Sequence, residues 1–302
     1  MEDKGFMKNI TLEELLEAGC HFGHQVTRQN PKARDFVFES RDNIHIIDLA
    51  KTKEGLDEAM QVVFDIAKRN GNLLIVGTKR QAQNIVTEEI AKVQETLKEK
   101  GIEPGLYSIT KRWIGGILTN ADALKKNYEK LRHLTEMLVS EEEKAPYTKK
   151  ELGLFEKERQ KLESFYSGIK TMKQQPDALF IIDTHLEHLA VAEALRMSVP
   201  TVGIVDTNAD PEVVTYPIPA NDDAVGSLKL IVGAILDAWF EGKKASAKVE
   251  KEEKKEAPRS TDLMQVKEVP AEVKEVKKTK EKPAKKEKAK KTPAKSSTAK
   301  KK

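Results

Sequence analysis

Four stretches of this chain bring together side chains that could do chemistry. CHFGH places Cys20, His21 and His24 almost side by side, and VGTKRQ carries an apolar run into Lys79 and Arg80. KRWIGGILTN sets Lys111, Arg112 and Trp113 against a Gly-Gly pair, and three apolar runs end in Asp48, Asp183 and Asp206.

Each stretch admits two readings. Cys20, His21 and His24 are possible zinc ligands, yet no clear fourth ligand follows, although His45 could fold back. In the other reading His21 and His24 flank Phe22 and Gly23 at a helix end and contact backbone or phosphate. Thr78 opens a helix after a strand, so backbone N–H groups, the helix dipole, Lys79 and Arg80 could face one anion. A cationic turn facing solvent has the same sequence. Gly115 and Gly116 let backbone approach a surface closely, Lys111 and Arg112 can pair with phosphates, and Trp113 can stack on a base or ribose. Alternatively Trp113 packs at the base of a helical hairpin. Thr119 with Asp122 reads as a capping box for that hairpin's first helix, beside Asn120.

The aspartates would sit outside the carboxyl ends of strands, where a divalent cation or an acid–base pair could be assembled. That is the case for a metal-dependent α/β hydrolase. An aspartate after a strand also caps the next turn, as Asp206 before Thr-Asn-Ala-Asp210-Pro211 suggests. Asp183 has His185, Glu187 and His188 close in sequence, but no GxSxG, HExxH or GxxxxGK[ST] pattern completes a catalytic set. No catalytic residue, metal or cofactor is assigned.

The elements that must position these residues follow from apolar periodicity. Thr11 and Glu14 form a capping box for a short helix ending near Ala18, and residues 36–39 and 44–47 read as a β-hairpin around Arg41, Asp42 and Asn43. Helices then alternate with the runs LLIVG, 106–109, ALFIID and TVGIVD, the pattern of an α/β domain with four or five buried parallel strands. The last helix is expected over 222–240. Between these elements, steps of three and four at Leu124, Tyr128 and Leu131, and at Leu152, Phe155, Arg159, Leu162, Tyr166 and Ile169, predict an antiparallel helical hairpin at about 120–170. Pro146 stops one helix and Thr148 with Glu151 caps the other, so an inserted coiled coil is expected.

Charge is divided unevenly. Residues 243–302 carry 22 Lys or Arg against ten Asp or Glu, a net +12, so the overall +4 leaves −8 for residues 1–242. The Lys/Ala/Glu/Pro-rich segment has no aromatic residue and is expected to be a disordered basic tail with nonspecific affinity for polyanions. One cysteine rules out an intrachain disulfide and fits a reducing compartment. Without a signal core or a membrane-length apolar run, a cytoplasmic protein with no membrane association is expected.

EAGCHFGHQ, RQNPKARDFVF, HIIDL, LLIVGTKRQA, KRWIGGILTN, DALFIID with LEHLAVAEA, and IVDTNADP with PIPANDDA occur in this order. Together they resemble the family of bacterial small-subunit ribosomal protein two, over roughly residues 12–242. The resemblance implies a flavodoxin-like sheet flanked by helices, with a coiled-coil insertion, and an RNA-binding ribosomal role without enzymatic activity or a small-molecule substrate. It implies contacts with small-subunit ribosomal RNA near the head–body junction, with neighbouring small-subunit proteins, and with ribosomal protein one, which it helps recruit for translation. Carried onto this sequence, the RNA-binding set is His21, His24, Arg28, Lys32, Arg34, Lys79, Arg80, Lys111, Arg112, Trp113, Thr119 and Asn120. Gln29, Ala33 and Ala220 depart from the family pattern, and alanine at 220 implies a turn that needs no positive φ.

Overall fold

The computed structural model describes residues 9–172 and 174–256. Helix α1 (Leu12–Glu17) begins with the expected capping box, Thr11 accepting the Glu14 amide and Glu14 accepting the Thr11 amide. The chain continues through β1 (Phe22–Gln25), 3-10 turns at Val26–Arg28 and Pro31–Phe36, β2 (Val37–Arg41) and β3 (Ile44–Ile47). Asp42 and Asn43, at φ 51° and 62°, supply the left-handed pair that a two-residue hairpin turn needs. β3 pairs antiparallel with both β1 and β2. His21 and His24 therefore lie beside and within a strand, correcting the reading that put them at a helix end.

The remaining elements are α2 (Leu49–Lys68), β4 (Leu73–Val76), α3 (Arg80–Glu99), β5 (Leu106–Ile109), α4 (Ala121–Val139), α5 (Glu141–Lys144), α6 (Lys149–Tyr166), β6 (Ala178–Ile181), α7 (His188–Met197), β7 (Thr201–Val205), β8 (Tyr216–Pro219) and α8 (Val225–Glu256). β4 to β8 form a parallel sheet in the order β5-β4-β6-β7-β8. Alternate side chains feed two cores. Leu73, Ile75 and Phe180 pack with α2, α3 and α8, whereas Leu74, Val76, Leu179 and Ile181 pack with α7 and the foot of α4. That two-sided burial explains why the strands read as unbroken apolar runs. β8 carries Pro217 and Pro219, which an edge strand tolerates because one side of its ladder is unused.

α4 and α6 pack side by side. Asn127 donates to the Tyr166 hydroxyl at 2.8 Å, the Tyr128 and Tyr166 rings meet edge to face at 5.5 Å, and Lys130 pairs with Glu158. Thr148 and Glu151 make the expected capping box. Thr119 does not cap α4, because the helix begins at Ala121 and the Thr119 hydroxyl donates elsewhere.

α8 also runs past residue 243, where the sequence placed the start of a disordered tail. Trp239 is fully buried and donates to the Pro104 carbonyl at 2.8 Å, and one turn later Lys243, itself buried, donates to the Gly71 carbonyl at 2.9 Å. The amphipathic pattern that ends at Phe240 hid this extension, because Lys243 is buried through its carbonyl partner and not through apolarity. The rest of the expected tail, 257–302, lies outside the described residues. No described helix is long and apolar enough to cross a membrane.

Gly55 tests how tightly α2 seats on β8. A Cβ there would lie 2.5 Å from the Pro217 carbonyl oxygen. Alanine in a helix interior ordinarily gains ~1 kcal/mol over glycine, but overpacking against backbone costs about 1–3 kcal/mol. Gly55→Ala is expected to lower the melting temperature, as a thermal denaturation series would register.

Candidate nucleic-acid interface

The turns after β4 to β8 all lie at the carboxyl edge of the sheet, and a single ammonium binds three of them together. Lys79, immediately before α3, places Nζ 3.1 Å from Asp183 Oδ2, 2.8 Å from Asp222 Oδ1 and 2.7 Å from Asp223 Oδ1. Asp183 follows β6, while Asp222 and Asp223 follow β8. The Thr78 hydroxyl adds a second tie by donating to Glu187. Burial alone would lower the Lys79 pKa, but Asp222, Asp223 and Asp183 outweigh it and hold it well above the usual lysine value. Burial, with Asp183 and Asp206, pushes the Asp222 carboxyl up to about 7 against the pull of Lys79. Too many carboxyls share one ammonium for all to ionise easily.

Lys79 is therefore turned into the protein's own carboxylates, which corrects its reading as a phosphate-facing cation. Its neighbour Arg80 is exposed.

His24 extends the network to the small sheet. Its backbone N–H donates to Thr207 Oγ1 at 2.9 Å, and its Nδ1 lies 3.1 Å from Asp206 Oδ2. The hydrogen bond to Asp206 raises the His24 pKa, opposed by burial and helped by Asp222 and Asp223. Asp206 also accepts from the Thr207 hydroxyl at 3.1 Å, so it fixes its own turn as expected. His24, Asp206 and Asp222 each bring a donor atom within 4.8 Å of the others, a spacing a metal ion could bridge. Cys20 does not belong to that group: it is fully buried in the apolar core, and burial pushes its thiol up. His21 is half-buried, its ring 4.0 Å from Phe22, and burial lowers its pKa. Asp48 caps α2 by accepting the Ala50 amide at 2.9 Å.

The other cations divide into paired and unpaired. Lys32 lies 2.9 Å from Asp210 and 2.6 Å from Glu212. Arg28, Arg34, Arg80 and Arg112 are exposed, and none has a carboxylate partner among the described residues. Lys111 is exposed and reaches Gln83 Oε1 at 3.4 Å. Trp113 is 4% exposed and donates Nε1 to Glu193 at 3.1 Å, so it anchors its loop in the core and offers no ring face for stacking. Thr119 and Asn120 are exposed at the end of that loop, where the Asn120 amide donates to the Gly116 carbonyl at 2.8 Å.

The sequence reading passed over Glu193, Asp222, Asp223 and Thr207. The Asn221-Asp222-Asp223 run was a visible signal of acidity, but its partner Lys79 is distant in sequence. Ala33 and Ala220 are buried, and Ala220 is not left-handed, which explains how alanine fits at both departures from the family pattern.

Comparison with known proteins adds an independent result. The family described as Ribosomal protein S2 matches residues 15–242. The Small ribosomal subunit protein uS2 of Fusobacterium nucleatum subsp. nucleatum is 41% identical over 244 residues, covering 81% of this chain and 94% of that relative.

The Asp222 shift sets a pH dependence. The folded carboxyl keeps its proton to about pH 7 while the unfolded one loses it near 3.8, so this group's contribution to stability falls as pH rises between those values. Asp222→Asn should melt higher than wild type at pH 8, by roughly 2–4 °C per kcal/mol gained, with the gain vanishing at pH 4. A lower melting point at pH 8 would mean that Lys79 requires the anion.

Proposed function

The chain belongs to the ribosomal protein S2 family, and on that premise we propose that it is a structural constituent of the small ribosomal subunit that binds small-subunit ribosomal RNA through the carboxyl edge of its sheet. The family places it in the ribosome, in the cytoplasm. The observation that carries the reading is the division of cations at this edge. Lys79 and Lys32 are neutralised within the protein, whereas Arg28, Arg34, Arg80, Lys111 and Arg112 remain exposed with no carboxylate of their own among the described residues. Exposed guanidinium groups held on rigid turns suit bidentate pairing with phosphate.

Within this reading the site lies near the head–body junction, on a flavodoxin-like body whose α4/α6 hairpin is a coiled coil. His21, His24, Trp113, Thr119 and Asn120 then support the contact by shaping the loops. The basic excess of residues 243–302 adds affinity without sequence preference. The −8 balance of residues 1–242 leaves acidic surface for protein neighbours, including recruitment of ribosomal protein one. A catalytic role has less support. Asp48 is a helix cap, and Asp183 and Asp206 hold Lys79 and His24.

Competitive reconstitution of small subunits with mixed wild-type and variant protein tests the proposal. Arg112→Ala should weaken incorporation by ~1.5–3 kcal/mol, the worth of a charged hydrogen bond. Lys32→Ala should weaken it less, because Asp210 and Glu212 already occupy that ammonium. Equal incorporation of Arg112→Ala and wild type would count against the reading.

A further inference from the structure

The loop over residues 111–120 lies outside any helix or strand, yet five of its donors converge on one carboxylate. Glu193 Oε1 accepts Trp113 Nε1 at 3.1 Å and the Gly116 amide at 2.7 Å. Oε2 accepts the Leu118 and Thr119 amides at 3.1 and 3.4 Å and the Thr119 hydroxyl at 3.3 Å. Glu193 is placed rigidly, since its neighbours Ala190, Val191 and Ala194 on α7 are packed in the core that also receives Trp113, Ile117 and Leu118. Gly116, at φ 97°, provides the left-handed turn that points these amides inward. Buried Trp113, Ile117 and Leu118 are thus flanked by exposed Lys111 and Arg112 on one side and exposed Thr119 and Asn120 on the other, and the outward-facing cations are fixed by what the inward donors are bonded to.

We infer that Glu193 is the positioning residue for RNA binding by this loop: its carboxylate takes up the loop's inward donors, so that Lys111 and Arg112 are presented in one geometry. The inference rests on the RNA-binding reading above. Glu193 acts through the loop and not by touching RNA itself. Burial pushes its carboxyl pKa up, but the Gly116, Trp113, Leu118 and Thr119 donors outweigh that and hold it below the ordinary glutamate value, in keeping with a carboxylate that stays charged at neutral pH. Glutamine keeps the shape and the helix propensity, yet it turns an NH2 group toward donors that need an acceptor.

The test uses the full-length protein as wild type, Glu193→Gln, Arg112→Ala and the double variant. Amide exchange of Gly116, Leu118 and Thr119 is measured in the free protein, and incorporation is measured by competitive reconstitution. Glu193→Gln should speed exchange at these amides while α7 stays protected, and should lower incorporation about tenfold, as expected for loss of a charge-assisted hydrogen bond. Because Glu193 acts through Arg112 and its neighbours, the double variant should lose less than the product of the two single losses. If Arg112→Ala loses incorporation while Glu193→Gln does not, or if the two losses multiply fully, the inference is overturned and the RNA reading stands. If neither single variant loses incorporation, both fall. Should Glu193→Gln fail to fold, Glu193→Asp keeps the charge but withdraws it by one methylene, and unchanged incorporation of that variant overturns the inference.

Discussion

The carboxyl edge of the sheet depends on one ammonium. Lys79 lies within 3.1 Å of Asp183, Asp222 and Asp223, and Asp206 stands beside them holding His24. Burying a charge is expensive, and a buried pair recovers that expense only when its geometry satisfies every group. Here the excess of carboxylates makes the position of the ammonium compulsory. Without it, several acids would repel one another inside the protein. The turns after β4, β6 and β8 are consequently fixed together, and through His24 and Thr207 the three-stranded sheet is fastened to the end of β7.

This arrangement gives the edge an inner and an outer layer of charge. The inner layer consumes Lys79, the Thr78 hydroxyl and the His24 backbone amide in holding the turns. The outer layer, Arg28, Arg34, Arg80, Lys111 and Arg112, is left facing solvent. An acidic body that binds a polyanion, as proposed, is then no contradiction. Its carboxylates at this edge are paired with their own cations, and the exposed cations of the turns after β4 and β5, with Arg28 and Arg34 of the 3-10 turns, are what a phosphate backbone would meet first.

Much of this was legible in the sequence where local rules decide the outcome. The capping boxes at Thr11 and Thr148, the Asp42-Asn43 hairpin turn and the doubly buried runs each have one favourable local solution, and each formed. What failed to show was settled by distant partners. β8 was obscured by Pro217 and Pro219, which only its edge position excuses. Trp113 had the company of a stacking residue, but the core under α7 and the Glu193 carboxylate claimed its ring and its N–H. Lys79 had the position of a phosphate-binding lysine, and nothing near it in sequence revealed that its partners would be Asp183, Asp222 and Asp223.

If exposed cations at this edge meet RNA while Lys79 is committed inside the protein, the two kinds of lysine differ in their accessibility before and after assembly. Lysine acetylation followed by peptide mass spectrometry, on the free protein and on assembled small subunits, tests it most directly. Lys79 is expected to resist modification in both states, and Lys111 to react in the free protein and become protected on assembly. A Lys79 that reacts readily when free and is protected only in the subunit, or a Lys111 that reacts equally in both, would contradict it.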